Sequence, residues 1–364
     1  MSTSPHTRSA SIGGVAVRDG TRLGPVDPVD RVRSARRRPR RRLLLLVAAL
    51  TVTVVALFLL SVLAGDYTIT FPDFVAMLGG KDIPGARFIL MQSKLPQAVL
   101  AVLVGLAFGT AGAVFQSTLR NPLASPDMLG ISTGASAAAV FAIVVLDWSG
   151  LALSCAGLVG AVLVAVLIRL VARGDGGHRL VLVGVTAAAA LLAVIQYLFT
   201  RADEYDAQLA LHWMTGSLNS ADWSGLRILG VALAVLLPTL ALVARARRSL
   251  ELGPEAAAGL GVTGRRTDLL LLLAVLLTAV GVAAAGPVAF VAFVSGPIAR
   301  ALNRGRTTLA GSALVGAAVM LGAGYLASYA VPATRLPVGV VTGAFGAPFL
   351  LWLLASGRTG RRPA

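Results

Sequence analysis

The chain has 364 residues, 56% of them hydrophobic and only 13% charged, with a formal net charge of +16; soluble domains carry about 25% charged residues. The apolar residues are gathered in blocks, most of them near the ~20 residues needed to cross a bilayer, which excludes a string of soluble domains. Half of the positive charge sits in residues 1–42 and the rest is spread over short connectors, which leaves no soluble segment for a nucleic-acid-binding domain.

Residues 1–42 contain eleven Arg and three Asp, are rich in Ser, Gly and Pro, show no apolar periodicity, and end in Arg36-Arg37-Arg38-Pro39-Arg40-Arg41-Arg42. The apolar run 43–64 that follows is too long for the core of a signal peptide and lacks a convincing cleavage site. We read 1–42 as a disordered basic cytoplasmic tail whose arginines meet anionic lipid head groups and hold the first span's amino end inside. Residues 65–94, with Phe71, Phe74 and Met77, fit either a re-entrant or a surface helix. Further apolar blocks fall at about 95–116, 129–146, 150–170, 180–199, 226–244, 269–286, 287–302, 307–330 and 336–356, so ten spans are expected. A single cysteine, Cys155, lies in one of them and excludes an internal disulfide.

Ten is even, so both termini share a side, and basic residues choose it. With the N-terminus inside, the inner connectors and C-terminus hold fifteen arginines, among them Arg120, Arg169, Arg245, Arg266, Arg300 and Arg358. The outer connectors hold only Lys81, Arg87, Lys94, Arg201, Arg227 and Arg335. This bias puts both termini in the cytoplasm.

No Asp, Glu or Lys stands at mid-span within the blocks. An ionisable group there costs about 2.5–3.5 kcal/mol and is usually kept to move ions or protons, so a proton- or sodium-coupled carrier is disfavoured. The chain also lacks a G-x-x-x-x-G-K-[ST] phosphate loop, so ATP-driven transport would need a separate ATPase subunit docked on the cytoplasmic side. The longest inner connector, 245–268, offers a surface: Pro254 suits a first helical turn, Glu255 complements the positive helix end, and Gly259 and Gly261 break the helix. Residues 253–259 therefore read as a short helix, although a plain charged connector fits the same pattern. His6, His178 and His212 lack ligand spacing, so no metal site is expected. Asp203, Glu204 and Asp206 read as a solvated loop or an amphipathic helix leading to Trp213. No acid–base or nucleophile set converges, so the chain is not read as an enzyme and no cofactor is expected.

Several stretches resemble the membrane subunits of ABC importers for iron–siderophore chelates and cobalamin, the FecCD family, and within it the catecholate-type ferric siderophore permeases most of all. The first runs from Leu95-Pro96 through Gly105, Gly112 and Gln116 to Arg120-Asn121-Pro122-Leu123-Ala124-Ser125-Pro126, Leu129-Gly130 and Gly134-Ala135. The others are Trp213-Met214-Thr215-Gly216-Ser217, Leu252-Gly253-Pro254-Glu255-Ala256 to Leu260-Gly261-Val262, Gly286-Pro287 to Ile298-Ala299-Arg300, and Leu336-Pro337-Val338-Gly339-Val340-Val341-Thr342-Gly343 to Gly346-Ala347-Pro348-Phe349. The resemblance implies an all-α integral membrane protein of about ten transmembrane helices with type II ABC importer permease architecture. Residues 43–357 would form the permease domain and 358–364 a cytoplasmic tail. Its implied partners are cytoplasmic ATPase subunits, an extracytoplasmic solute-binding protein, a second permease subunit (like or unlike) and the lipid of the cell membrane, with no nucleic acid.

The same resemblance assigns ATPase coupling to about 250–264, through Leu252, Gly253, Glu255, Ala256, Gly259, Leu260 and Gly261. The connector carrying Gly176, Gly177 and His178 takes the place of the cytoplasmic gate. Lys94 stands where the family has a docking arginine, Gln97 where it has another, and Arg335 where it commonly has Glu; we expect Lys94 and Arg335 to meet the binding protein. Ser295-Gly296-Pro297 replaces the family's Pro-His pair, and we expect a helix break there with no histidine function. The expected cargo is a ferric siderophore, moved inward through a cavity lined by small apolar residues at the dimer interface. Cobalamin or haem import is the alternative, and a stand-alone secondary carrier the alternative of another class.

Overall fold

The computed structural model describes residues 28–172, 177–244, 264–331 and 334–355. It divides into two units, Met1–Leu43 and Leu44–Ala364. Of the first, only residues 28–43 are described, as the opening of helix α1 (Pro28–Leu63). The tail boundary drawn at 42 thus falls inside a helix. Proline suits a first helical turn, and arginine is a good helix former.

The remaining helices are α2 (Phe71–Leu78), α3 (Ala86–Thr118), α4 (Ile131–Leu146), α5 (Gly150–Val171), α6 (Gly177–Phe199), α7 (Glu204–Met214), α8 (Trp223–Val243), α9 (Gly264–Ala285), α10 (Val291–Leu302), α11 (Leu309–Tyr329) and α12 (Val338–Ala355). Among the described residues there is no strand. Seven helices are long and apolar enough to cross a membrane, and α4, α10 and α12 are shorter apolar helices. Together they match the ten apolar blocks. The two extra helices, α2 and α7, are capped by Thr70 and Asp203, whose side chains accept the amides of Asp73 and Asp206. α2 buries Phe74 and Met77 and leaves Phe71 exposed, as an amphipathic surface helix does.

In lipid, helices gain nothing from the hydrophobic effect by meeting one another, so close backbone approach and shape decide what packs in the centre. α3 has the means. Its Gly105 and Gly109 form a G-x-x-x-G pair, and Gly112 follows on the adjoining face. A Cβ on Gly105 would overlap the Gly316–Ala317 backbone of α11, one on Gly109 the Ser312 carbonyl, and one on Gly112 the Ala292 carbonyl of α10. These glycines therefore serve packing within the subunit. The apolar stretch of α3 is 78% buried, against 11% for α1 and for α6, which makes α3 the core helix. Val104, Phe108, Ala111, Val114 and Phe115 fill the space between it and Leu277, Val282, Met320 and Leu321 of α9 and α11. A second cluster, with Val140, Ile143, Leu153, Ile195, Leu198 and Ala210, joins α4, α5, α6 and α7.

Two prolines explain where helices continue against expectation. Pro297 lies inside α10, which runs unbroken through Ser295-Gly296-Pro297 where a break was expected. A proline removes the N–H that would bond the carbonyl four residues back. That carbonyl, of Phe293, accepts instead from Gln116 Nε2 at 2.9 Å, and Gly296 leaves the room that Gln116 occupies. At the outer end of α3, Pro96 likewise supplies no N–H. Residues Leu90–Lys94 widen into a π turn, with Leu95 N bonding Leu90 O, and the helix starts at Ala86 rather than near 95. The Met91 carbonyl accepts the indole N–H of Trp223 at 2.7 Å.

Candidate translocation cavity and its outer and inner faces

The breaks between spanning helices converge. After α7 the chain passes through Thr215 and Gly216, whose φ is +68°, and Ser217 N bonds Ala285 O at 2.8 Å. There α9 ends at Gly286, where φ is +73° and a Cβ would crowd the Trp213 carbonyl. Phe290, a non-glycine residue at φ 67°, starts α10. A Cβ on Gly339, at the start of α12, would overlap the Thr215 carbonyl. Such non-helical backbone survives at bilayer depth only where protein buries it or water lines it, and interrupted helices commonly frame transport sites.

The three breaks enclose a cavity of about 370 Å³ open to the subunit surface. Met214, Thr215, Pro287, Val288, Ala289, Gly339 and Val340 form one wall, and Asp127, Ser132 and Thr133 the other. A second hollow, beside Lys94 and Tyr325, measures about 40 Å³ and holds no more than a few waters.

Asp127 was not among the residues expected from sequence. It lies in a 3-10 turn, Asp127–Leu129, on the connector between α3 and α4, just ahead of the apolar block. Ser132 Oγ donates to its Oδ1 at 2.5 Å. Burial pushes its carboxyl up to about 6, while the Ser132 hydrogen bond pulls the other way. Among the described residues no basic side chain pairs with it. The signal available in sequence was an acid between Pro126 and the Leu129-Gly130 helix start.

The expected surface residues part company. Lys94 is only 8% exposed, and its Nζ donates to the carbonyls of Ala64 at 2.8 Å and Tyr67 at 2.6 Å. It clamps the turn that leads out of α1. Arg335 stands free of that clamp, 60% exposed, with its guanidinium 3.8 Å from Asp66 on the same turn. Lys94→Glu, which sets a carboxylate against two carbonyls, is expected to cut the folded yield several-fold. Each buried group left without its partner costs about 1–3 kcal/mol. Arg335→Glu should leave the yield unchanged, because exposed pairs contribute about 0–1 kcal/mol. Size-exclusion profiles of detergent-extracted protein check both; equal profiles would refute the structural role of Lys94.

On the inner side, Leu252, Gly253, Glu255, Ala256, Gly259, Leu260 and Gly261 lie outside the described residues, as does Gly176. Gly177 and His178 open α6. Nearby, Arg169 near the end of α5 pairs with Asp268 near the start of α9.

Residues 52–356 match the FecCD transport family. The chain is 35% identical over 295 residues to the ferric enterobactin transport system permease protein FepG of Escherichia coli (strain K12), covering 80% of this chain and 89% of that one. It is 37% identical over 271 residues to the Fe(3+) dicitrate transport system permease protein FecD of the same organism, covering 73% and 85%. This chain belongs to the FecCD transport family. A solved transporter assigned to the metal-chelate ABC type, in an inward-facing conformation, superposes with a TM-score of 0.76 at 25% identity, covering 85% of this chain and 98% of that one. The FecCD chain is thus a multi-pass membrane permease of the ABC-transporter type, and the arginine bias places its described inner loops on the cytoplasmic side.

Proposed function

We propose that this chain is the transmembrane path of an ATP-driven importer that carries a ferric siderophore into the cytoplasm. The supporting observation is the open cavity framed by interrupted helices, in a chain whose relatives are named as ferric-chelate permeases. Its size matches part of a small-molecule passage, pockets for such ligands being about 300–1,000 Å³, and a second permease subunit, like or unlike, would close it into a bulkier tunnel.

In this reading ATP hydrolysis belongs to partner chains. They grip the segment 250–264 through Leu252, Gly253, Glu255, Ala256, Gly259, Leu260 and Gly261. The Arg169–Asp268 pair supports a mechanical route, since α9 follows that segment and α5 precedes the connector with Gly176, Gly177 and His178, which we assign to the cytoplasmic gate. A solute-binding protein docks outside on Arg335, while Lys94 acts indirectly by fixing the turn that carries Asp66. Residues 43–357 form the permease domain, with basic tails at either end.

Proteoliposomes holding the chain with its co-purified ATPase and binding protein test this. Iron-labelled siderophore is expected to accumulate only when ATP reaches the ATPase. Accumulation without ATP would make the chain a secondary carrier, and accumulation of cobalamin or haem in place of iron would reassign the cargo.

A further inference from the structure

We propose that the turn between α10 and α11 holds an anionic phospholipid of the cytoplasmic leaflet, with Arg300, Arg304 and Arg306 on its phosphate and Leu44, Leu45 and Leu302 along its acyl chains. The three arginines fall within seven residues, and the backbone that carries them is fixed. Asn303 N and Gly305 N both bond the Arg300 carbonyl, at 3.1 and 2.8 Å, and Asn303 Nδ2 donates to the Arg306 carbonyl at 3.1 Å. Arg304 takes a φ of 52° to close the turn. Arg300 is half-buried, while Arg304 and Arg306 are exposed. Among the described residues no carboxylate pairs with any of the three. Arg169, near the inner end of α5, is by contrast met by Asp268.

The neighbour of this turn is α1, whose Leu46 and Leu50 pack with Ile298, Ala299 and Val315. α1 runs outward and α10 inward, so that contact sets Leu44 and Leu45 level with Arg300 and Leu302, and all three leucines are exposed. Only 11% of the apolar stretch of α1 is buried, so this flank of the subunit faces hydrocarbon. An apolar ledge beside guanidinium groups without counter-ions suits a molecule that joins a hydrocarbon tail to an anionic head. A half-buried cation left unpaired is costly, and a phosphate offsets that cost by accepting the paired N–H groups of the planar guanidinium. Each arginine close to anionic lipid is worth about fivefold in local enrichment. A water-soluble partner beneath the membrane does not reach leucines on the bilayer flank, which decides for lipid over protein. The site makes no demand on the cargo.

A local probe separates a site from the general attraction of a basic inner face. In a full-length Cys155→Ser background, which removes the chain's one cysteine, Ala301→Cys carries a bimane label beside Leu302. Leu170→Cys carries the same label next to Arg169, whose charge Asp268 meets; both positions are exposed. The labelled proteins are reconstituted with acyl-brominated phosphatidylglycerol or phosphatidylcholine, and quenching gives the relative occupancy of the two lipids at each label. At 301 the anionic lipid should be preferred about fivefold or more, and at 170 by less than twofold. Arg300→Gln with Arg304→Gln and Arg306→Gln should bring the value at 301 down to that at 170. Should Arg300→Gln lower the folded yield, the pair Arg304→Gln and Arg306→Gln, at exposed positions, is expected to reduce the preference about threefold.

Equal preferences at the two labels would show a diffuse field in place of a site and overturn the proposal, as would a preference at 301 that survives removal of the arginines. Two further arms test the occupant. Millimolar inorganic phosphate is expected to leave the quenching unchanged, and displacement of the lipid by it would make the site one for a free anion. Addition of the co-purified ATPase should likewise leave the preference in place, whereas its loss would assign the turn to protein contact and overturn the lipid reading.

Discussion

Gly112→Val should abolish recovery of folded protein. The glycine lies where α3 meets α10, and any Cβ there would occupy the place of the Ala292 carbonyl oxygen. The atom in the way is backbone, so no rotamer change relieves the clash, and α10 would have to move away from the core helix as a body. Overpacking in a close-fitted interior costs about 1–3 kcal/mol when side chains can adjust, and more when they cannot. The separation would also disturb Gln116, one turn along α3, and its bond to the Phe293 carbonyl. Gly322 on α11 supplies the control, because a Cβ there meets nothing. Gly322→Ala is expected to match the wild type in detergent-extracted yield and melting temperature, while Gly112→Val aggregates or is degraded. A Gly112→Val protein that elutes and melts like the wild type would refute the packing account.

Glu255→Arg and Gly261→Pro should leave the protein in the membrane at normal abundance and lower ATP-dependent uptake by roughly 5- to 150-fold, the span of typical coupling between sites. If 253–259 folds as the short helix read from sequence, a glutamate in its first turn complements the positive end and arginine reverses that sign. Proline at 261 would fix φ near −65° and remove the N–H that glycine supplies there. The informative pairing is uptake against ATPase activity in the same vesicles. Uncoupling predicts that hydrolysis persists, or loses its response to loaded binding protein, while iron stays outside. Normal uptake by both variants would remove this segment from the transmission path.

What sequence could show follows from what is local. A run of apolar residues reports a bilayer crossing without reference to the rest of the chain, and the blocks at 180–199 and 226–244 lie within a few residues of α6 and α8. Helix starts were less legible where a proline had a remote remedy. Pro297 reads as a break because the group that satisfies Phe293 O sits 177 residues away on α3. Pro96 reads as a helix start because the π turn and the Trp223 indole that accommodate it leave no mark in a short window.

Charged residues were the hardest. Lys94 has the sequence context of an exposed outer cation, yet its partners are carbonyls 30 and 27 residues earlier, and only the folded turn reveals them. Asp127 escaped for a different reason. The argument against mid-span acids was made on the spans, whereas the cavity wall includes the connector turn that carries Asp127.

The glycine notches along α3 restrict how such a permease can move. Each receives a peptide ridge from α10 or α11, so axial slip by a fraction of a turn would drive Cα atoms into oxygens. Sliding is thereby forbidden, and tightly meshed interiors of this kind switch between discrete arrangements instead of creeping. α3 becomes a spindle that turns with α10 and α11 as one piece, while α6, with only 11% of its apolar stretch buried, stands at the periphery.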